Sequence, residues 1–163
     1  MNSSPTVRPA EAADLTAIGR LGAMLVAEHH EFDSRRFIAP VPDIAQRYGE
    51  FLIAQVPRPD RLVVVAERDG RVVGYAYAAM EGKDFMALRG PAGVVYDLVV
   101  DPDHRRAGVG TSLLEAALTG LAELGAPRAL LFTAEKNEAG QAMFAHAGFR
   151  RTMIEMTREL SGD

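Results

Sequence analysis

The feature of this sequence that most constrains its fold is a strand, a glycine-containing loop and a helix in direct succession. Residues 94–100 form a β-branched, apolar run that ends at Asp101-Pro102. A loop follows from Arg105 to Gly110, and residues 111–124 then carry leucines and alanines at helical spacing up to Gly125. Because a helix of this length can return the chain to the same end of a sheet, the pattern predicts parallel strand pairing and an α/β fold.

The first half of the chain predicts antiparallel pairing instead. Asp69-Gly70 joins two β-rich runs, residues 61–66 and 72–79, and this dipeptide favours a tight hairpin in which both turn residues have positive φ. We therefore predict a single domain, residues 1–163, with a mixed sheet that has helices on both faces. The predicted elements are a strand at 6–8, helices starting at Glu11 and after Asp43, strands at 61–66, 72–79 and 94–100, a helix at 111–124, a strand at 129–133, a helix at 137–146 and a strand at 152–158.

Composition and charge narrow the classes of function. The net charge is −4, and acidic and basic residues are interspersed, which argues against a nucleic-acid-binding protein. The sequence has no cysteine, so disulfides, thiolate metal sites and an acyl-cysteine intermediate are excluded, and the histidines lack metal-ligand spacing. No apolar run approaches the roughly 20 residues that span a bilayer, and the N-terminus lacks a signal-peptide pattern. We expect a cytoplasmic protein without metal, membrane or nucleic-acid partners.

The loop from Arg105 to Gly110 has the properties of an anion-binding site. Glycine lets the backbone approach a phosphate, free amides at a helix start point outward, and Arg105 and Arg106 add positive charge. A dinucleotide-binding fingerprint would require a third glycine where Leu113 stands, and a Walker loop would require a lysine before Thr111. A pyrophosphate site of another kind and a plain glycine turn are the remaining interpretations.

In this region the sequence resembles the GNAT superfamily of acyl-CoA N-acyltransferases. The family motif Arg/Gln-x-x-Gly-x-Gly/Ala, at the start of a central helix, matches Arg105 to Gly110 after a strand that ends in an Asp-Pro turn. A second family signature matches at the expected spacing, on Asn137, Gly140, Phe144, Gly148 and Phe149. The resemblance covers the order of elements over about the whole chain and the motifs of residues 94–150. It implies a GNAT-like acyl-CoA N-acyltransferase fold with acetyl-CoA as co-substrate.

The resemblance also implies roles for individual residues. The amides from Arg106 to Thr111 would hold the CoA pyrophosphate. The backbone of residues 98–100 would pair with the pantetheine arm in a wedge between two splayed strands, and one of these amides, with Val99 as the candidate, would polarise the thioester oxygen. The implied cofactor residues are Leu98, Val99, Val100, Arg105, Arg106, Ala107, Gly108, Val109, Gly110, Thr111, Asn137 and Phe144.

The proton-transfer groups are less clearly marked. The family commonly has a tyrosine acid where this chain has Phe144, and a phenyl ring cannot donate a proton. Tyr96 or Tyr77 would replace it, or the thiolate would leave unassisted, since a free thiol has a pKa of about 8.5. Asp97 and Glu81 are candidate bases, and a water chain is a third route. Each of these residues also has a purely structural interpretation. The tyrosines would be half-buried residues of their strands, Asp97 would be a hydrogen-bonding partner, and Glu81 would be a solvated loop residue.

The hypothesis drawn from the sequence is an N-acetyltransferase. It would transfer acetyl from acetyl-CoA to a primary amine of a small molecule or peptide by direct attack in a ternary complex. The alternative is a catalytically weak acyl-CoA-binding or sensor domain, which the phenylalanine at position 144 makes conceivable. The acceptor site is expected between residues 28–36 and residues 81–89, and the family resemblance is compatible with a homodimer.

Overall fold

A computed structural model describes residues 4–162 and contains a five-stranded sheet in the order β1-β2-β3-β4-β5. Two short 3₁₀ turns, Ala12–Asp14 and Pro102–His104, precede α1 and α3. In chain order the main elements are β1 Thr6–Pro9, α1 Leu15–Phe32, α2 Ile44–Ile53, β2 Arg61–Arg68, β3 Arg71–Glu81, β4 Ala92–Val100, α3 Val109–Glu123, β5 Ala129–Leu131 and α4 Glu138–His146.

The sheet is mixed, as the sequence predicted. Strands β1 to β4 pair antiparallel with their neighbours, and β4 pairs parallel with β5 across the α3 connection. The predicted hairpin is confirmed, because Asp69 has φ of 50° and Gly70 has φ of 73°. Within residues 4–162, no helix is both long and apolar enough to cross a membrane.

Helices cover both faces of the sheet. Leu113, Leu114 and Leu121 of α3 are fully buried against one face, while α1 and α2 bury apolar side chains against the other. The α1–α2 crossing is close: a Cβ atom at Gly19 would stand 2.1 Å from the carbonyl oxygen of Ala45. This crossing also fixes the ring of Tyr48 on α2, which packs against Gly22 of α1.

A β-bulge interrupts β4 in the middle of the sheet. Val95 is opposite Ala78 and Asp97 is opposite Tyr77, so Tyr96 is an extra residue without a partner on β3. Side chains two residues apart normally share a face of a sheet, but Val95 packs on the α3 side while Val99 packs on the α1–α2 side. The bulge therefore turns Asp97 and Val99 toward α1 and α2.

The predicted last strand, residues 152–158, is wrong. These residues form no strand in the structure and are exposed. They lie instead near the loop after α1, where Arg36 pairs with Glu155 and Arg35 pairs with Glu159. The alternation of residue types was compatible with a strand, but a strand needs a hydrogen-bonded neighbour, and the segment is not paired with β5 in this chain.

Candidate active site

Two groups of contacts fix the path of the chain as it leaves β4. The Asp101 carboxylate accepts a hydrogen bond from the Asp103 amide at 3.2 Å and from Arg20 of α1 at 2.9 Å. The Arg105 guanidinium donates to the carbonyl oxygen of Val100 at 3.2 Å and to both carboxylate oxygens of Glu28 at 3.0 and 3.2 Å. The charge of Arg105 is thus paired with Glu28, and the side chain ties the glycine loop to α1.

The amides of residues 106–111 form an open cradle at the start of α3. Arg106 has φ of 60° and Gly108, the residue before the helix, has φ of 78°. In the described part of the chain none of these six amides donates to a protein acceptor, and the first that does is Ser112, to the carbonyl oxygen of Gly108 at 3.0 Å. A Cβ atom at Gly108 would have no protein atom within 4 Å. Free amides, the helix dipole and open space in front of the glycine fit a phosphate group.

The edge of β4 beyond the bulge is open on the β5 side. β5 pairs only with residues 93–95, so β4 and β5 diverge after Val95. The carbonyl oxygen of Val99 lies against Gly74 of β3, whereas that of Val100 accepts from Arg105 on the other side. Because successive residues of a strand alternate in direction, Leu98 and Val100 face the open edge and the amide of Val99 faces β3.

A cavity of about 300 Å³ lies beside this open edge. Asn137, before α4, is held there by two hydrogen bonds: its side chain accepts from the Gly140 amide at 3.0 Å and donates to the Thr133 hydroxyl at 3.2 Å. The walls include His29 of α1, Asp97 and Leu98 of β4, and Asn137 and Phe144 of the α4 region. The strand that precedes the glycine loop and the second motif, at Asn137 and Phe144, therefore meet at one cavity.

Asp97 stands in the wall of this cavity, and its side chain is partly buried. Its Oδ2 atom accepts hydrogen bonds from the Tyr48 hydroxyl at 2.7 Å and from the Tyr75 hydroxyl at 2.9 Å. Burial raises the pKa of the Asp97 carboxyl above its ordinary value, although the two hydroxyls and nearby His29 act in the opposite direction. Asp97 is thus both a hydrogen-bonding partner and a carboxylate that takes up a proton more readily than usual.

A second cavity, of about 310 Å³, adjoins the first at Tyr96 and Asp97. Glu81 accepts a hydrogen bond from the Tyr96 hydroxyl at 2.9 Å and pairs with Arg61 at 3.3 Å. The Tyr96 ring stacks on Tyr77 with 5.5 Å between ring centroids. Burial, followed by the contact with Glu81, raises the pKa of Tyr96 to about 12. The four candidate acids and bases named from sequence therefore all line the second cavity, and two of them, Tyr96 and Asp97, also line the first.

The structure places only part of the predicted acceptor region at the cavities. Phe37 and Ile38, after α1, line the first cavity and Glu81 lines the second, but residues 83–89 do not appear in the described walls of either. His29, within the expected range 28–36, also lines the first cavity. Two tyrosines that the sequence did not point to belong here as well, because Tyr48 and Tyr75 both donate hydrogen bonds to Asp97. The Nδ1 atom of His29 lies 2.9 Å from the Leu25 carbonyl oxygen, one helical turn earlier, and no local sequence signal marked Tyr48 or Tyr75. In the described chain no cluster of three or more potential metal ligands is present.

Comparison with known sequences identifies the family. Residues 26–149 match the sequence model described as the Acetyltransferase (GNAT) family. The chain belongs to this family. The part that matches the GNAT model includes the amide cradle, the open edge of β4 and most residues of both cavities.

Relatives of this GNAT chain include two mycothiol acetyltransferases. The protein from Thermobispora bispora is 34% identical over 96 residues, which cover 56% of this chain and 31% of that relative. The protein from Kocuria rhizophila is 31% identical over 116 residues, which cover 70% of this chain and 36% of that relative. The chain thus spans about a third of the length of the curated relatives that it matches.

Solved structures share the GNAT fold at low sequence identity. A Bacillus halodurans protein superposes with a TM-score of 0.80 at 19% identity and covers 96% of this chain and 99% of its own. An aminoglycoside N-acetyltransferase, AAC(6')-Iy, in complex with CoA superposes with a TM-score of 0.72 at 18% identity, covering 99% and 98%. These likenesses confirm the predicted α/β architecture.

Proposed function

We propose that this chain, as a single N-acetyltransferase domain, transfers acetyl from acetyl-CoA to a primary amine of a small molecule or peptide. The observation that carries the proposal is the continuity of the amide cradle at residues 106–111, the open edge of β4 and the cavity at Asp97. A pyrophosphate, an extended amide-containing arm and a reacting thioester would meet these three features in that order. The CoA complex of a structural neighbour supports the choice of cofactor for the family fold.

The groups that would hold acetyl-CoA belong to the backbone. The free amides of residues 106–111 would bind the pyrophosphate, and Leu98 and Val100 would pair with the pantetheine arm like an added strand. Asn137 and Phe144 would contact the arm from the α4 side. The acetyl thioester is the electrophile that the cofactor brings. We transfer the oxyanion-stabilising role from Val99 to the amide of Leu98, because Leu98 faces the open edge.

Asp97 would receive the proton of the attacking amine. A primary alkylammonium has a pKa of about 10, so most acceptor molecules arrive protonated at neutral pH. The raised pKa of Asp97 brings this carboxyl closer to the operating pH, which favours general base catalysis. Glu81, held by Arg61 and Tyr96, would instead help to orient the second cavity.

Departure of the CoA thiolate is expected to need no tyrosine. With a pKa of about 12, Tyr96 is a weaker acid than a thiol, whose pKa is about 8.5, so proton transfer from Tyr96 is uphill. We expect Tyr96→Phe to change the rate of CoA release by much less than the roughly 10²-fold lower limit typical of general acid catalysis. Phe144→Tyr should leave turnover equal or raise it, because it restores a hydroxyl beside the cavity.

Tyr77→Phe is the matched comparison for this prediction, since Tyr77 stacks on Tyr96 and its pKa is also raised by burial. Rates should be measured at saturating acetyl-CoA across the pH range. A loss of about 10²-fold or more in one tyrosine variant alone would identify that residue as the acid and contradict unassisted departure.

A screen for CoA release tests the proposed activity itself. Purified protein would be incubated with acetyl-CoA and one acceptor at a time: polyamines, aminoglycosides, amino acids, peptides and the acceptor of mycothiol acetyltransferase. We expect amine-dependent CoA release and an acetylated product of matching mass for at least one class. Tight acetyl-CoA binding without release for any acceptor would favour the sensor domain and contradict the enzyme.

A further inference from the structure

His29 of α1 is held in a fixed orientation in the wall of the first cavity. Its Nδ1 atom lies 2.9 Å from the carbonyl oxygen of Leu25. The ring also makes edge contacts with the rings of Phe32 and Phe37, with 5.6 and 5.0 Å between the centroids. A carbonyl oxygen only accepts hydrogen bonds, so Nδ1 carries the hydrogen and the lone pair of a neutral His29 is on Nε2. The backbone of α1 therefore selects the tautomer of this histidine.

The second ring nitrogen of His29, Nε2, remains for a bound molecule. In the part of the chain that the structure describes, Nε2 has no hydrogen-bonding or ionic partner. His29 lines the same cavity as Leu98, Asn137 and Phe144, the residues proposed to contact the pantetheine arm. A lone pair of fixed position is thus present in the cavity in which the thioester would react.

Acetylation of a primary amine requires two protons to leave the nitrogen atom. An alkylammonium carries three protons on nitrogen, and the amide product carries one. The carboxylate of Asp97 can take up one of the two, after which it is a neutral acid. Among the described residues that line the first cavity, Asp97 and His29 are the two whose side chains can accept a proton, since the other polar walls are hydroxyl and amide groups. The positive charge of His29 also acts on the Asp97 carboxyl, so the two groups interact.

We propose that His29 is a second catalytic residue, which accepts the second proton of the attacking amine at Nε2. This inference rests on the proposed acetyl transfer. Asp97 takes the first proton from the ammonium and leaves a lone pair on nitrogen. That lone pair forms the new carbon–nitrogen bond, and Nε2 of His29 accepts one of the two protons that the nitrogen still carries. The carbon–sulfur bond breaks with its electron pair on sulfur.

Protonated His29 then passes its proton to the thiolate. An imidazole ordinarily has a pKa of about 6.5 and a thiol one of about 8.5, so this transfer is favourable. It leaves His29 neutral in its original tautomer, and Asp97 releases the other proton to solvent. The balance is one ammonium and one thioester converted into one amide, one thiol and one free proton. His29 thus completes the proton path that a single carboxylate leaves open.

NMR of the histidine side chains tests the proton position without turnover. In protein labelled with ¹⁵N-histidine, at a pH at which imidazoles are neutral, the nitrogen chemical shifts distinguish the two tautomers. We expect His29 to carry its proton on Nδ1 and its Nε2 signal to shift when CoA is added. The signals are assigned by their loss in His29→Asn. A proton on Nε2, or an Nε2 signal that saturating CoA does not move, would overturn the proposal.

His29→Asn and His30→Asn form a matched pair for kinetics. An asparagine amide can still donate to the Leu25 carbonyl oxygen but cannot accept a proton. His30 is the next residue of α1, and its Nδ1 atom lies 3.0 Å from the Phe37 carbonyl oxygen, yet it is not among the described residues that line either cavity. We expect His29→Asn to lower the maximal rate of CoA release by about 10²-fold or more with CoA affinity unchanged, and His30→Asn to stay close to wild type.

The outcomes separate this inference from the proposed function. Equal rates in the two asparagine variants, with amine-dependent CoA release in the wild type, would overturn the role of His29 alone. Absence of release from the wild type with every acceptor would overturn the proposed function and this role together. Circular dichroism would verify that both variants are folded.

Chemical rescue distinguishes proton transfer from a packing role of the ring. His29→Ala removes the ring and leaves room for a free heterocycle in the cavity wall. Added imidazole should restore part of the lost rate, whereas pyrazole, a ring of similar size and much weaker basicity, should not. Equal rescue by the two compounds, or none by imidazole, would show that His29 acts through its contacts with Phe32 and Phe37 and would overturn its catalytic role.

Discussion

Gly108→Val is expected to lower the affinity for CoA by at least about 100-fold while the protein remains folded. Gly108 has φ of 78°, and a Cβ atom at this position meets no protein atom within 4 Å. The added side chain would therefore project into the space in front of the free amides of residues 106–111. Hydrogen bonds to a charged group are each worth about 1.5–3 kcal/mol, so the loss of two accounts for the expected effect. Isothermal titration calorimetry with CoA measures it directly.

Gly70→Val is the control for this substitution. Gly70 has φ of 73° and likewise has no protein atom within 4 Å of an added Cβ atom, but it lies in the β2–β3 hairpin. Both variants should lose a similar stability of about 1–2 kcal/mol from the left-handed backbone, seen as a lower Tm. Only the variant at position 108 should lose CoA affinity. Wild-type affinity for CoA in the Gly108→Val protein would contradict the assignment of residues 106–111 as the pyrophosphate site.

Asp97→Asn is expected to lower the maximal rate by about 10²–10⁴-fold, the range typical of general base catalysis, with CoA affinity nearly unchanged. The amide oxygen can still accept from Tyr48 and Tyr75, so the local structure is retained, whereas the amide cannot take up a proton. Steady-state kinetics with an acceptor from the screen, together with CoA titration, separates the two effects. The cradle lies at the start of α3, away from this carboxylate, which is why affinity should be preserved.

The pH dependence gives a second measurement of the same role. Only the ionised carboxylate accepts a proton, so the wild-type rate should fall as the pH drops through the raised pKa of Asp97, and Asp97→Asn should lack this limb. The free energy of unfolding depends on pH in the opposite direction to the rate. Because the pKa of Asp97 is higher in the folded than in the unfolded protein, stability is lost as the pH rises from the ordinary pKa of the carboxyl to its raised value. The uncharged Asp97→Asn variant should not show this loss.

Glu81→Gln is the matched carboxylate control for Asp97. Glu81 lines the neighbouring cavity, where its carboxylate pairs with Arg61 and accepts a hydrogen bond from the Tyr96 hydroxyl, so it is less available as a base than Asp97. We expect its rate to stay close to wild type. Full activity in both amide variants would assign proton removal to a water path, and the rate should then rise with pH until the amine is deprotonated, near pH 10 for an alkylamine.

The element order and the binding loop could be predicted because each depends on short stretches of sequence. Asp69-Gly70 specifies a hairpin through the conformations of two residues, and Gly108 permits the left-handed backbone before α3. The proton-transfer site depends on more distant parts of the chain. Tyr48 reaches Asp97 across 49 positions and Tyr75 across 22, and no local pattern marks such pairs.

The sequence by itself determined the mixed α/β sheet, the glycine loop and the second motif at Asn137 and Phe144, because residue periodicity and backbone preference act within a few positions. The tertiary structure decided which groups face which way. A bulge at Tyr96 turns Asp97 toward α2, and alternation along β4 makes Leu98, rather than Val99, face the open edge. It also left residues 152–158 without a strand, because a β-type segment forms hydrogen bonds only where an edge is within reach.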